Sequence, residues 1–401
     1  MRTIFKIAVC VLTISAYGQQ ADSFSFVGNA FDQQWSPKTI KVEGQGVGMS
    51  NAINAGMFND FVFRTGFTPA YKDHFVNGTQ NKVNIYSLNN ADAEYKLDSN
   101  WGLYLNSQTS SAYTGNKEIS DLLFFGNAPF LDQSVSTENL KFIRYSGVSI
   151  GATHKINVSE KAGAKVLIGL RTLFDYRAVS IADLSLYTSP TGAYVDAETS
   201  ELHATEESIT ILKGIGLDLG FDVNYVLDAK NSLAINVRDV NLTRLLNYTS
   251  LQFDTSLRFT GIGYDIIADT NSLENFVDSV YVPIVQNARK ESKWTSLPSR
   301  INLKWNHRLS EDNVLSVGVQ TVNFGSLGVM GTVGLDHTFS DRFRLRSTLG
   351  YGNFSGVLWT EAAEYRLGNY NVFAGITGLH LALAPKMAGS YGVSIGAAKQ
   401  F

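Results

Sequence analysis

The chain has 401 residues, a formal net charge of −3 and 44% hydrophobic residues. So mild a charge argues against a general nucleic-acid binder. No stretch after residue 20 stays apolar for the roughly 18 residues a membrane helix needs, which excludes helical spans in the mature chain.

The first segment, "MRTIFKIAVCVLTISAYGQQ", reads as a secretory signal over residues 1–20. Arg2 and Lys6 precede an apolar run to Ala16, and small or polar Gly18, Gln19 and Gln20 follow. A short membrane anchor is the competing reading, and the run is short for one. The single cysteine, Cys10, lies inside this segment, so the mature chain has none. That suits an exported protein that does not rely on disulfides. Residues 21–401 read as one domain.

Gly44, Gly46 and Gly48 of "GQGVGM" do not match a dinucleotide fingerprint, and glycines in a strand or bend explain them better. Strands are expected over 82–88, 101–109, 144–157 and 162–174. "GIGLDLGFDVNY" then alternates strictly, with Ile215, Leu217, Leu219, Phe221, Val223 and Tyr225 against Gly216, Asp218, Gly220, Asp222 and Asn224. Period two marks a strand with two different environments. Further strands are expected over 231–240 and 251–259. "SLENFVDSVYVPIVQNA" switches to helical spacing, with Ser272 as N-cap and Pro283 near its end. It reads as a surface helix in a loop or as one covering a pore.

"RINLKWNHRL" sets Ile301, Leu303, Trp305, His307 and Leu309 against Asn302, Lys304, Asn306 and Arg308. Strands follow over 313–323 and 328–339. In "RFRLRSTLGY", Phe343, Leu345, Leu349 and Tyr351 oppose Arg342, Arg344, Arg346 and Thr348. The spans 357–367 and 371–382 come next, and the chain closes on "SYGVSIGAAKQF". Most of these strands are about 9 to 14 residues long, enough for a tilted strand to cross a membrane.

Short charged connections stand at 159–161, 227–231, 310–312, 340–341 and 368–369, and long ones near 109–142, 175–212 and 260–298. Short turns at one end and long loops at the other describe a transmembrane antiparallel β-barrel. A soluble β-sandwich would present a polar outer face instead. Parity leaves about 14 strands if 251–259 belongs to an extracellular excursion, or 16 if a partner strand hides in 262–288. The aromatics Trp101, Phe339, Phe343, Tyr351, Trp359, Tyr365 and Tyr391 fall near strand ends, where interfacial girdles form. Phe401 is the membrane-insertion signal: a terminal aromatic on an alternating last strand, at the periplasmic interface. Lys399 beside it can lay its stem along lipid while its ammonium reaches water.

No motif nominates catalysis, a metal or a cofactor. The histidines His74, His154, His203, His307, His337 and His380 are scattered, and no nucleophile stands with a base. The remaining chemistry is the inward face, expected to carry Lys165, Arg171, Asp218, Asp222, Arg238, Asp254, Arg258, Lys304, Arg308, Asp336, Arg342, Arg344, Arg346, Glu364 and Arg366. Either these pair across strands and fill the barrel, or Lys304, Arg308, Arg342, Arg344 and Arg346 line a conduit that favours anions.

Several stretches, "LLFFGNAPFLDQSV" at 122–135, "GVSIGATHKI" at 147–156, "AGAKVLIGLRTLFDY" at 162–176, "GIGLDLGFDVNYVLDAKNSLAINVRDVN" at 214–241, "LRFTGIGYD" at 257–265 and the closing "YGVSIGAAKQF", resemble a family of uncharacterised outer-membrane proteins of Bacteroidota related to the FadL-like transporters. The resemblance implies a barrel of roughly 14 strands in the bacterial outer membrane and assigns no site residues. Two functions are expected from it and from the residues. One is a FadL-like passive conduit for a small or hydrophobic ligand. The other is a non-enzymatic accessory subunit of a larger outer-membrane complex, in type IX secretion, gliding, or protein and lipoprotein assembly. Expected partners are membrane lipid and other outer-membrane or periplasmic proteins, not nucleic acid.

Overall fold

A computed structural model describes residues 38–54, 82–125, 128–205, 212–259, 289–324, 326–353, 356–383 and 388–401. The expected signal segment and the expected helical segment over 272–288 lie outside them, as do the side chains of Asp254 and Arg258.

Sixteen strand segments form one sheet: β1 (Thr39–Asn54), β2 (Lys82–Lys96), β3 (Trp101–Asn116), β4 (Gln133–Asn157), β5 (Ala162–Thr188), β6 (Val195–Thr205), β7 (Gly214–Val226), β8 (Asn231–Phe259), β9 (Arg289–Thr295), β10 (Ser299–Arg308), β11 (Asn313–Phe324), β12 (Ser326–Ser340), β13 (Phe343–Gly352), β14 (Gly356–Leu367), β15 (Tyr370–Thr377) and β16 (Ala388–Gln400). Two pairs of segments are halves of one stave each. The lower part of β5 pairs with β7 and its upper part with β6. β8 pairs likewise with β10 below and β9 above. Fourteen antiparallel staves therefore close the barrel, the last through the pairing of β16 with β1 from Thr39↔Gln400 to Met49↔Ser390. Residues 251–259 continue β8 upward, so the excursion reading holds and 16 staves do not form.

The turns at 97–100, 158–161, 227–230, 309–312, 341–342 and 368–369 meet at one end. Asp98 and Asp228 build two of them alike. Asp98 Oδ1 accepts from the amides of Asn100 at 2.7 Å and Trp101 at 2.8 Å. Asp228 Oδ1 accepts from Lys230 at 2.8 Å and Asn231 at 2.9 Å. Such side-chain turns satisfy backbone donors that the hairpin leaves open. The Asn100 amide chiefly holds the Asp98 carboxyl below its usual range, and the Lys230 amide does so at Asp228.

The opposite end corrects the sequence reading. The spans 109–142 and 175–212, expected as long loops, are largely strand. β4, β5 and β8 run 25, 27 and 29 residues. Their upper parts, with β6 and β9, rise beyond the barrel as a tall wall. Helix α1 (Lys117–Phe125) caps it on one side, and Ile119, Val135, Leu140 and Ile181 form a small core there. The strand expected over 371–382 stops at Thr377 and gives way to helix α2 (His380–Leu383).

β1 carries the glycine run. Its outer face begins with Ile40 and Val42 and continues with Gly44, Gly46 and Gly48, and the Tyr391 ring lies where a Cβ at Gly48 would sit. Inside the barrel, the Tyr104 ring lies against Gly151 and Gly169 of the next two staves.

Candidate functional site

The outer wall fixes where the barrel sits. Ile150, Ile168, Leu170, Leu217, Leu242 and Ile395 are among many large apolar side chains that point outward and remain exposed. An apolar band on a closed sheet is stable only in hydrocarbon. At the turn end, Trp101 packs on His154 at 4.1 Å between rings and Phe339 on Phe343 at 5.4 Å. Tyr351 and Trp294 stand exposed toward the other end. Two aromatic girdles around an apolar belt place the protein in the bacterial outer membrane, with the short turns periplasmic. The Phe401 amide donates to the Lys38 carbonyl at 3.1 Å, and the Lys399 ammonium lies 4.7 Å from the Phe401 ring and 5.1 Å from the Tyr370 ring.

Inside, the lumen is layered. The lower layer is ionic and centres on Asp239. This residue has φ +58°, a left-handed conformation that aspartate tolerates better than most residues. At this point β8 changes which face looks inward. Below it Asn236 and Arg238 face the lumen; above it Asp239, Asn241, Thr243 and Leu245 do. The register shift of β7 against β8 between Leu219 and Phe221 marks the same bulge, and bulges serve to re-aim side chains. Two arginines converge on the result. Arg171 Nη2 reaches Asp239 at 3.1 Å and Asp218 at 2.9 Å. Arg300 Nη2 reaches Asp239 at 2.6 Å. Ser149 accepts from Arg171 Nε at 2.9 Å.

A second branch joins Arg238 to Asp222, with Nη2 donating at 2.6 Å, and Lys165 to Glu94 at 3.3 Å and to Asp222 at 3.7 Å. Asn106 donates to Asp92 at 2.6 Å on the neighbouring staves. A cavity of about 100 Å³ lies among these groups. Across the lumen, Arg346 pairs with Asp336 through both Nε and Nη2. Charges this well buried persist because they are paired and hydrogen-bonded.

Above the ions the lumen is apolar. Val47, Met49, Tyr145, Leu173, Leu297 and Met330 belong to one buried cluster that fills the barrel. Leu297 enters from the break between β9 and β10. There Pro298 offers no N–H, and the ladder between β8 and these strands lapses from the Arg238↔Arg300 pair to the Thr243↔Thr295 pair. The Leu297 amide donates instead to Asn241 Oδ1 at 2.9 Å. Over this floor lies, among the described residues, a vestibule of about 360 Å³ with Phe142, Ile143, Tyr176, Ala178, Leu297 and Phe324 on its apolar side and Lys141, Ser180, Asn241, Thr295 and Asn323 on its polar side. Val240, Ser296 and Pro298 also line it, so the vestibule reaches the gap in the wall.

The residues expected along a conduit are dispersed. Lys304 is buried and inward, and Arg346 is neutralised by Asp336. Arg344 is half-buried and stands across the sheet from Glu364. Arg308 and Arg342 are exposed at the periplasmic rim. Lys165, Arg171, Asp218, Asp222 and Arg238 do meet inside. The hub Asp239 and its partner Arg300 escaped sequence reasoning. Strict alternation cannot turn both Arg238 and Asp239 inward, and the adjacent pair was the available signal.

The sequence matches no family model and no curated protein. Among solved structures, the chain is similar to a deletion mutant of the monoaromatic hydrocarbon channel TodX (9% identity, 95% of each chain, TM-score 0.45). It is also similar to a Pseudomonas aeruginosa FadL homologue (9% identity, 91% of this chain and 90% of that one, TM-score 0.43). The Pseudomonas putida toluene transporter TodX matches over 97% of each chain at 8% identity and a TM-score of 0.42. The barrel described above rests on its own strand pairing and outer belt.

Proposed function

We propose that the protein is a passive outer-membrane conduit for small hydrophobic compounds. The observation that carries this reading is the vestibule, with an apolar side of Phe142, Ile143, Tyr176, Leu297 and Phe324, open toward the outer end among the described residues and continuous with a gap in the strand ladder at Val240, Ser296 and Pro298. An apolar compound gains by leaving water for such a pocket. The ionic layer beneath offers it no comparable site, so the ladder gap is the favoured way out. Leu297 forms the vestibule floor and governs its depth. The same ionic layer closes the direct route to water and ions, since its arginines and carboxylates neutralise one another.

The test is binding of the apolar fluorophore N-phenylnaphthylamine to the purified barrel in detergent. Saturable binding is expected, weakened about tenfold by Leu297→Trp, which fills the floor. Binding that is unsaturable, or unchanged in that variant, contradicts the proposal.

The second reading, an accessory subunit of a larger complex, is favoured by the tall wall of β4, β5, β6, β8 and β9. A sheet projecting beyond the apolar belt offers partner surface. Gentle extraction of the native membrane followed by mass measurement separates the two. A lone monomer counts against this second reading.

A further inference from the structure

Glu361 breaks the rule of the outer wall. On β14 the inward residues are Leu358, Thr360, Ala362 and Glu364, so Glu361 points outward with Trp359 and Ala363. Its depth follows from its neighbours. Its cross-strand partner Ser347 stands on β13 midway between Phe343 and Tyr351, which belong to the two aromatic girdles. Glu361 is six residues above the end of β14 at Leu367. At about 3.3 Å per residue and a tilt near 40°, that is roughly 15 Å above the periplasmic edge, the middle of the hydrocarbon. Lipid headgroups and water do not reach that depth.

The carboxyl is half satisfied. Oε1 accepts from Ser347 Oγ at 2.6 Å and from Trp359 Nε1 at 2.8 Å. Both bonds come from this chain and fix the side chain against the wall. Oε2 has no protein donor among the described residues. Beside it, Ala363 and Ala374 face each other across the β14–β15 pair and leave a shallow step in the apolar surface. Ile376 and Leu349 stand exposed around this step. A carboxyl group at this depth is costly unless a donor comes to it, and small residues let a neighbouring backbone approach closely.

We propose that this patch, centred on Glu361, is a lateral contact for another membrane-embedded protein, one that brings a hydrogen-bond donor or a cationic side chain to Glu361 Oε2. A second copy meeting this one face to face would bring no free donor, because the outward polar neighbours Ser347 and Trp359 already donate to Glu361 Oε1 and the rest of the patch is Ala363, Ala374 and Ile376. The contact is independent of the conduit reading, and its failure would leave ligand binding in the vestibule untouched.

A photo-crosslinking amino acid at Ala374 in the full chain, in its native membrane, tests it, with Ile150 on another part of the belt as control. The expected result is a discrete protein adduct from position 374 and none from 150, reduced at least tenfold by Glu361→Leu and retained in Glu361→Gln. Because Glu361→Leu faces lipid, the isolated barrel should fold as well as wild type, which heat-modified gel mobility checks. Crosslinks to lipid alone, crosslinks to a second copy, or adducts indifferent to Glu361→Leu would each overturn the proposal.

Discussion

Asp239 holds two buried arginines in a backbone conformation few residues accept. Asp239→Ala leaves Arg171 and Arg300 without their shared counter-charge, and breaking a buried pair in this way costs about 3–5 kcal/mol. Asp239→Asn keeps the left-handed tolerance and an acceptor oxygen, so its loss is smaller. Thermal unfolding followed by gel mobility gives the order wild type, Asn, Ala; equal midpoints contradict the hub. His380 makes a different prediction. It lies in the outer loop, 5% exposed, and burial holds its imidazole below the usual range. A base with a depressed folded pKa favours folding while neutral, and that advantage fades as pH falls through the ordinary histidine value of about 6.5. Protection factors across 378–383, corrected for the pH dependence of intrinsic exchange, should therefore fall below about pH 6, and His380→Phe should flatten the response. A flat profile in the wild type rules this out.

At the scale of elements, glycines decide where staves can approach. The Tyr104 ring occupies the space over Gly151 and Gly169 on the inner wall. Gly169→Val has no room against it and should cost about 1–3 kcal/mol, as overpacking does. Gly44→Ala meets nothing within 4 Å and should be neutral. Paired unfolding midpoints of the two variants check both. The element scale also shows what alternation could convey. β7, β10 and β13 were legible because lipid outside and charge inside give period two its full contrast. β1 was obscure because its outer face turns to glycine at Gly44, Gly46 and Gly48. The upper parts of β4 and β5 passed for loops because they leave the membrane, where neither face is held apolar, while the upper part of β8 read as a separate strand over 251–259. Asp239 was hidden by a bulge, and no period-two reading survives one.

The whole molecule is a barrel whose lumen is sealed twice, once by apolar packing and once by ions. Its strand ladder is interrupted beside Pro298. Under the proposed function, that arrangement would pass apolar solutes and exclude ions. The most direct measurement is flux of N-phenylnaphthylamine across asymmetric bilayers with lipopolysaccharide in the outer leaflet, recorded together with ionic conductance. The account predicts faster entry of the fluorophore with wild-type protein than with Leu297→Trp, and no conductance steps from either. Stepwise ionic conductance, or fluorophore entry no faster than through protein-free bilayers, would contradict it.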